Sequence, residues 1–114
     1  MQTELKAKDV SEIIVFCVND GAVMKAWATE QCVQGSMITF MGDPHGHLTE
    51  RLGMGFSGAA NLGYARCKRC AVVVDDCVVK AVRVSFASDD LAGDNDPEGP
   101  LTAMTRAPSV LALL

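Results

Sequence analysis

Ile13-Ile14-Val15-Phe16-Cys17-Val18-Asn19-Asp20 is the stretch on which the fold turns. An unbroken apolar run dense in β-branched side chains, without polar alternation, suits a strand buried on both faces, as in a parallel sheet. Asn19-Asp20 then supplies side chains able to cap a helix, and Val23, Met24 and Trp27 recur at helical spacing beyond it. Gly35 is expected to end that helix. Met37-Ile38-Thr39-Phe40-Met41 reads as a second strand, closed by the turn Gly42-Asp43-Pro44. Strand, helix and strand in this order make a β-α-β unit, the element of α/β layer structures.

Upstream, residues 1–10 read as the end of a helix. Downstream, a helix is expected from Pro44 to Leu52, with proline in its first turn and Gly53 just past its end. Residues 53–65 read as a loop or a short irregular helix. Ala71-Val72-Val73-Val74 and Val78 to Val84 flank Asp75-Asp76-Cys77, the pattern of two antiparallel strands joined by a turn. The second alternates in part, as a strand with one wet face should. Residues 88–100 are acidic and rich in glycine and proline, the composition of a solvated loop. From Leu101 the chain is largely apolar, and Pro108 marks where a last helix starts. The expectation is an α/β fold, a mixed sheet flanked by helices, forming a single domain over residues 1–114.

The bulk numbers narrow the function classes. The 114 residues suffice for one domain. Aromatic residues are 5% of the chain, so a core has to be aliphatic. A formal net charge of −4 speaks against a nucleic-acid backbone as partner, which requires a concentrated basic face. The run Ile13 to Val18 is far too short to span a bilayer, and no membrane association is expected. The segment Met1 to Glu12 has no apolar core of a signal peptide. Five cysteines, an odd count, read as reduced intracellular thiols rather than a disulfide framework, with the cytoplasm as the expected location. Organellar targeting stays open, because a fragment would carry any targeting sequence upstream of Met1.

Several strings are more specific. Ile13–Asp20 followed by Val23-Met24-Lys25-Ala26-Trp27 resembles the strand, V-N-D and F-V-M-x-x-W of type II peroxiredoxins. Met41-Gly42-Asp43-Pro44-His45-Gly46 is similar to their A-D-P-x-G turn, and Thr49-Glu50-Arg51-Leu52-Gly53-Met54 to their T-x-x-L-G-L. Gly63-Tyr64-Ala65-Arg66-Cys67-Lys68-Arg69 contains the G-x-R-S-x-R pattern, shifted by one spacer and with Cys67 for serine. Ala71–Lys80 matches the hairpin A-L-V-V-D-D-G-V-V-K. Leu101-Thr102, Ala107-Pro108 and the apolar end resemble the closing helix.

The resemblance implies a thioredoxin-like fold and a thiol peroxidase that uses no cofactor. A cysteine thiolate at a helix N-terminus beside an arginine attacks the peroxide O–O bond, for which a depressed thiol pKa is needed. The sulfenic acid condenses with a second thiol, and glutathione, glutaredoxin or thioredoxin restores the reduced state. Arg69 matches the arginine that binds peroxide oxygen, and Arg66 the supporting one. Read without the resemblance, Arg69 is an arginine at the base of a strand, solvated or paired with an acid. The resemblance also implies a homodimer surface around Asn19–Trp27.

The signature P-x-x-x-T-x-x-C occurs nowhere in these residues, so none of the five cysteines takes the peroxidatic role by alignment. The chain is therefore expected to be an N-terminally truncated form. The strand leading into the active-site cysteine would precede it and would lie between the strands at 13–18 and 71–76. Its loss would leave both with unpaired backbone groups, which is costly when buried and aggregation-prone when exposed.

The thiols offer further readings. Mammalian relatives place a resolving cysteine in L-T-C, where this chain has Leu101-Thr102-Ala103. Plant relatives place it on the strand that here carries Cys17 two positions later, on the same face. A buried apolar thiol is the expectation for Cys17 and a resolving role the alternative. Cys67-Lys68-Arg69-Cys70 is a C-x-x-C, a redox dithiol or half of a zinc site. A dithiol gains reactivity at a helix N-terminus, whereas this pair sits ahead of a strand; Lys68 and Arg69 would still lower the pKa of Cys67 or Cys70. A zinc site would need two more ligands from Cys77, His45 and His47, and no metal is expected. Asp75-Asp76 and the acidic loop lack the calcium-loop pattern. The redox candidates are Cys17, Cys67 and Cys70.

Overall fold

The computed structural model describes residues 2–56, 65–85 and 105–114. They fall into two compact units, Met1–Gly53 and Met54–Leu114.

In the first unit α1 (Gln2–Lys6) leads to β1 (Ile13–Cys17), which pairs in parallel with β2 (Ile38–Gly42) from Ile13↔Ile38 to Cys17↔Gly42. The crossover is α2 (Gly21–Glu30), started as expected by Asp20, whose carboxylate accepts the Val23 N–H at 2.9 Å. Alternation puts Val15 and Cys17 on the same sheet face as Phe40. On that face the Cys17 thiol donates to Met24 Sδ at 3.3 Å, and the Trp27 ring stands edge-on to Phe40 at 4.8 Å. Met24 is the deepest side chain, 1% exposed. The other face is open: Ile14 is 52% and Met41 50% exposed. The expected burial of β1 on both faces is thus met on one only, because α2 is the described helix of this unit that packs on the strand pair.

Two boundaries differ from the sequence reading. The helix α2 ends at Glu30, with Cys32 in the left-handed region at φ 52°, and Gly35 at φ 75° belongs to the following turn. The cysteine N–H reaches back to Thr29 O at 3.1 Å, so the chain leaves the helix before its glycine. Next comes α3 (His47–Arg51), three residues later than Pro44. Pro44 is instead enclosed in a turn in which the Gly46 N–H donates to Asp43 O at 3.0 Å. The Asp43 carboxylate reaches over that turn to the N–H groups of Leu48 at 3.2 Å and Thr49 at 2.8 Å, and those donors set the helix start. Gly53, at φ 67°, follows the helix as expected.

In the second unit β3 (Gly55–Phe56) pairs antiparallel with β4 (Arg66–Cys67), and β5 (Cys70–Asp75) with β6 (Val78–Val84). The hairpin is where the sequence put it. Its two turn residues, Asp76 at φ 47° and Cys77 at φ 61°, both lie in the left-handed region that a type I′ turn demands. A short helix α4 (Ala107–Leu111) carries Pro108 in its first turn. The expected loop at 53–65 contains β3, a pairing too short to show in composition; its residues 57–64 and the acidic segment 88–100 lie outside the described residues.

Among the described residues β1 has one strand neighbour, β2, and β5 has one, β6. No described helix is long and apolar enough to cross a membrane.

Candidate functional site

The segment Arg66-Cys67-Lys68-Arg69-Cys70 links the two antiparallel pairs of the second unit and is pinned by its backbone along its length. Arg66 and Cys67 face Phe56 and Gly55 in the β3–β4 ladder. The Lys68 N–H donates to Met54 O at 2.7 Å, and Arg69 O accepts the Ser85 N–H at 2.9 Å. Cys70 then opens β5 opposite Val84. Five residues that sequence reading singled out for chemistry are therefore held by two partner segments, 54–56 and 84–85.

Arg69 is exposed, and its Nε–H donates to Thr105 Oγ1 at 2.9 Å, just ahead of α4. A guanidinium is a rigid planar fork of donors, so one directed hydrogen bond fixes the orientation of the others. Arg66 is half-buried, its Nε shielded from solvent. With Lys68 between them, three cations fall within four residues. This arrangement suits an anion or a polar oxygen ligand.

Cys67 and Cys70 are both half-buried. Cys67 Sγ donates to Lys68 O at 3.2 Å. The hydrogen bond to Cys67, then burial, then the charge on Cys67, push the Cys70 thiol up from its ordinary value. Lys68 and Arg69 are expected to lower Cys67 or Cys70; for Cys70 the direction is upward.

The other candidates lie elsewhere. Cys17 belongs to β1 in the first unit, where its partner is Met24. Cys32 and Cys77 are exposed in turns. The His45 and His47 rings lie 5.5 Å apart at the start of α3. Among the described residues no three His, Cys, Asp or Glu side chains come together as a metal site. Sequence reading missed Thr105: it meets Arg69 across 36 positions, and no local pattern announces such a contact. It also missed Ser85, a buried residue tied through its backbone to Arg69.

The redoxin family model matches residues 1–96. Peroxiredoxin-2B of Arabidopsis thaliana is 37% identical over 86 residues, covering 75% of this chain and 52% of that protein. Among solved structures, reduced Prx3 of Vibrio vulnificus in complex with hydrogen peroxide superposes with a TM-score of 0.77 at 29% identity, over 98% of this chain and 63% of that one. Peroxiredoxin 5 of Alvinella pompejana gives 0.69 at 28% identity, over 75% of this chain and 55% of that one. The chain spans about half the length of the curated relatives it matches.

Proposed function

The chain belongs to the redoxin family, among the type II peroxiredoxins with their thioredoxin-like fold, and from that premise we propose that it is the arginine-bearing part of a thiol peroxidase. The substrate class is hydrogen peroxide and alkyl hydroperoxides, with glutathione, glutaredoxin or thioredoxin as reductant. Arg69 presents its guanidinium to a peroxide oxygen, Thr105 holds it in orientation, and Arg66 adds positive charge behind it. The observation that carries this reading is the Arg69–Thr105 hydrogen bond, which fixes the arginine that matches the family motif. It also favours a positioned arginine over one simply dissolved in solvent.

The motif P-x-x-x-T-x-x-C does not occur in these 114 residues. The chain by itself is accordingly proposed to have no appreciable peroxidase turnover. A peroxidase assay with glutathione–glutaredoxin or thioredoxin recycling tests this. Turnover lost on a single Cys→Ser change would overturn it and identify the substitute thiol.

A second reading, a non-catalytic binding protein, is favoured by one observation: Ile14, Met41, Val23 and Trp27 are all 40% exposed or more. Val23 and Trp27 belong to the Asn19–Trp27 surface that the family resemblance assigns to a homodimer. Sedimentation at increasing concentration distinguishes a dimer from a monomer. A stoichiometric co-purifying partner with no thiol oxidation at low peroxide would support the binding reading. The intracellular, cytoplasmic location remains part of the proposal and rests on the odd number of cysteines.

A further inference from the structure

The peroxide reading makes no use of His45-Gly46-His47. Both imidazoles are exposed, and their ring centres lie 5.5 Å apart with the planes tilted by 37°. Two residues apart within a helix, two side chains diverge by about 200° around the axis. These two converge because Gly46 precedes α3 in the left-handed conformation, at φ 70°, and turns the chain between them. The turn is held by backbone groups and not by the imidazoles. Gly46 N–H donates to Asp43 O at 3.0 Å, Gly46 O accepts the Glu50 N–H at 2.8 Å, and the Asp43 carboxylate caps Leu48 and Thr49. The rings are thus together before any ligand arrives, and a site formed in advance loses less freedom on binding.

We propose that His45 and His47 chelate one divalent late first-row metal ion, such as nickel, through one nitrogen of each ring. Metal–nitrogen bonds of about 2.0–2.1 Å place two imidazoles on one ion, at square to tetrahedral angles, about 4.5–5.2 Å apart between ring centres. Rotation of either exposed side chain closes the remaining difference from 5.5 Å. Imidazole is a ligand suited to nickel, copper and zinc. Linking two donors makes the second bond intramolecular, so the pair binds more tightly than a single surface histidine. The positive end of α3 opposes a cation. The Asp43 carboxylate, hydrogen-bonded one and two residues beyond His47, offsets that charge.

Among the described residues no three His, Cys, Asp or Glu side chains gather as a metal site, so water fills the remaining positions on the ion. The site is therefore open and reversible, unlike a structural zinc closed by four protein ligands. The expectation that no metal is bound concerned such a zinc site built on the C-x-x-C; the histidine pair needs neither cysteine.

Titration of the reduced chain with nickel chloride near neutral pH, followed by amide NMR, tests the proposal, because the paramagnetic ion broadens only signals close to it. The expected result is saturable binding with broadening centred on residues 45–48. His45→Gln and His47→Gln, both at exposed positions, should each weaken binding at least about tenfold. Cys32→Ser and Cys77→Ser, at the exposed thiols, should leave it unchanged. Mapping of the unaltered chain needs no variant to fold. Broadening centred on a cysteine, no broadening at residues 45–48, or undiminished affinity in either histidine variant would each overturn it. None of these outcomes bears on Arg69, so the histidine pair and the peroxide reading stand or fall separately.

Discussion

The carbonyl oxygen of Asn19 lies 2.6 Å from the point where a β-carbon would stand on Gly42. Two strings far apart in sequence, the capping Asn19-Asp20 and the turn Gly42-Asp43-Pro44, are therefore in backbone contact at the end of the β1–β2 pair. The contact is reinforced by the Asp43 N–H, which donates to Cys17 O at 2.9 Å.

Gly42→Ala should be destabilising on this ground. The added carbon meets Asn19 O, Asp20 C and Gly21 N, all backbone, so no side chain can swing aside. A loss of roughly 1–3 kcal/mol is expected, the usual range for overpacking, with a lower denaturation midpoint in urea. A midpoint unchanged from the parent would show that Gly42 and the Asn19–Gly21 backbone do not approach as described.

Asp43 should matter through its charge as well as its shape. Burial alone raises the carboxyl, but the Thr49 N–H, the adjacent Thr49 hydroxyl and the N–H groups of Leu48 and His47 outweigh it. The result is a value below the ordinary 3.8. A depressed carboxyl contributes stability that is full above its unfolded value and is lost as pH falls through the folded one. Unfolding midpoints should therefore drop below about pH 3.8, and Asp43→Asn should remove that part of the pH dependence. At neutral pH Asp43→Ala should cost about 1–2 kcal/mol, as loss of a helix cap does.

Cys77→Gly is expected to stabilise the hairpin. Cys77 is exposed and held at φ 61°, a conformation that costs a residue with a β-carbon roughly 1–2 kcal/mol and glycine almost nothing. A gain of about 1 kcal/mol in chemical denaturation is the expected outcome; a loss would mean that the thiol makes a contact worth more than the strain.

Met24→Ala should be among the more damaging single changes in the first unit. The side chain is buried to 1% exposure and accepts the Cys17 thiol. Truncation of a buried methionine removes roughly 2–5 kcal/mol. It should also raise the alkylation rate of Cys17, since the helix then covers the thiol less well.

Amide hydrogen exchange offers a separate check on the strand edges. With β2 as the one described neighbour of β1, and β6 of β5, only part of each strand's N–H groups has a ladder partner. Exchange along residues 13–17 and 70–75 should be uneven, with protected and unprotected amides interleaved. Uniform strong protection in a proven monomer would require a further strand pairing.

The sequence alone determined the longer elements and their order, while the two-residue strands β3 and β4 escaped it. Ile13 to Cys17 became a strand because β-branched residues favour it, Asp20 started α2 because its side chain can cap, and the hairpin at Asp76-Cys77 followed from its flanking valines. Family membership was legible for the same reason: the matching strings are local. What only the tertiary structure decided lies in contacts across distance. It opened one face of β1, moved the start of α3 to where Asp43 finds its donors, and brought Thr105 to Arg69. It also set the surroundings of Cys70, where Cys67 and burial push the thiol upward. A hydrogen bond depends on where two atoms lie in space, and spacing along the chain fixes that only within a turn or a ladder.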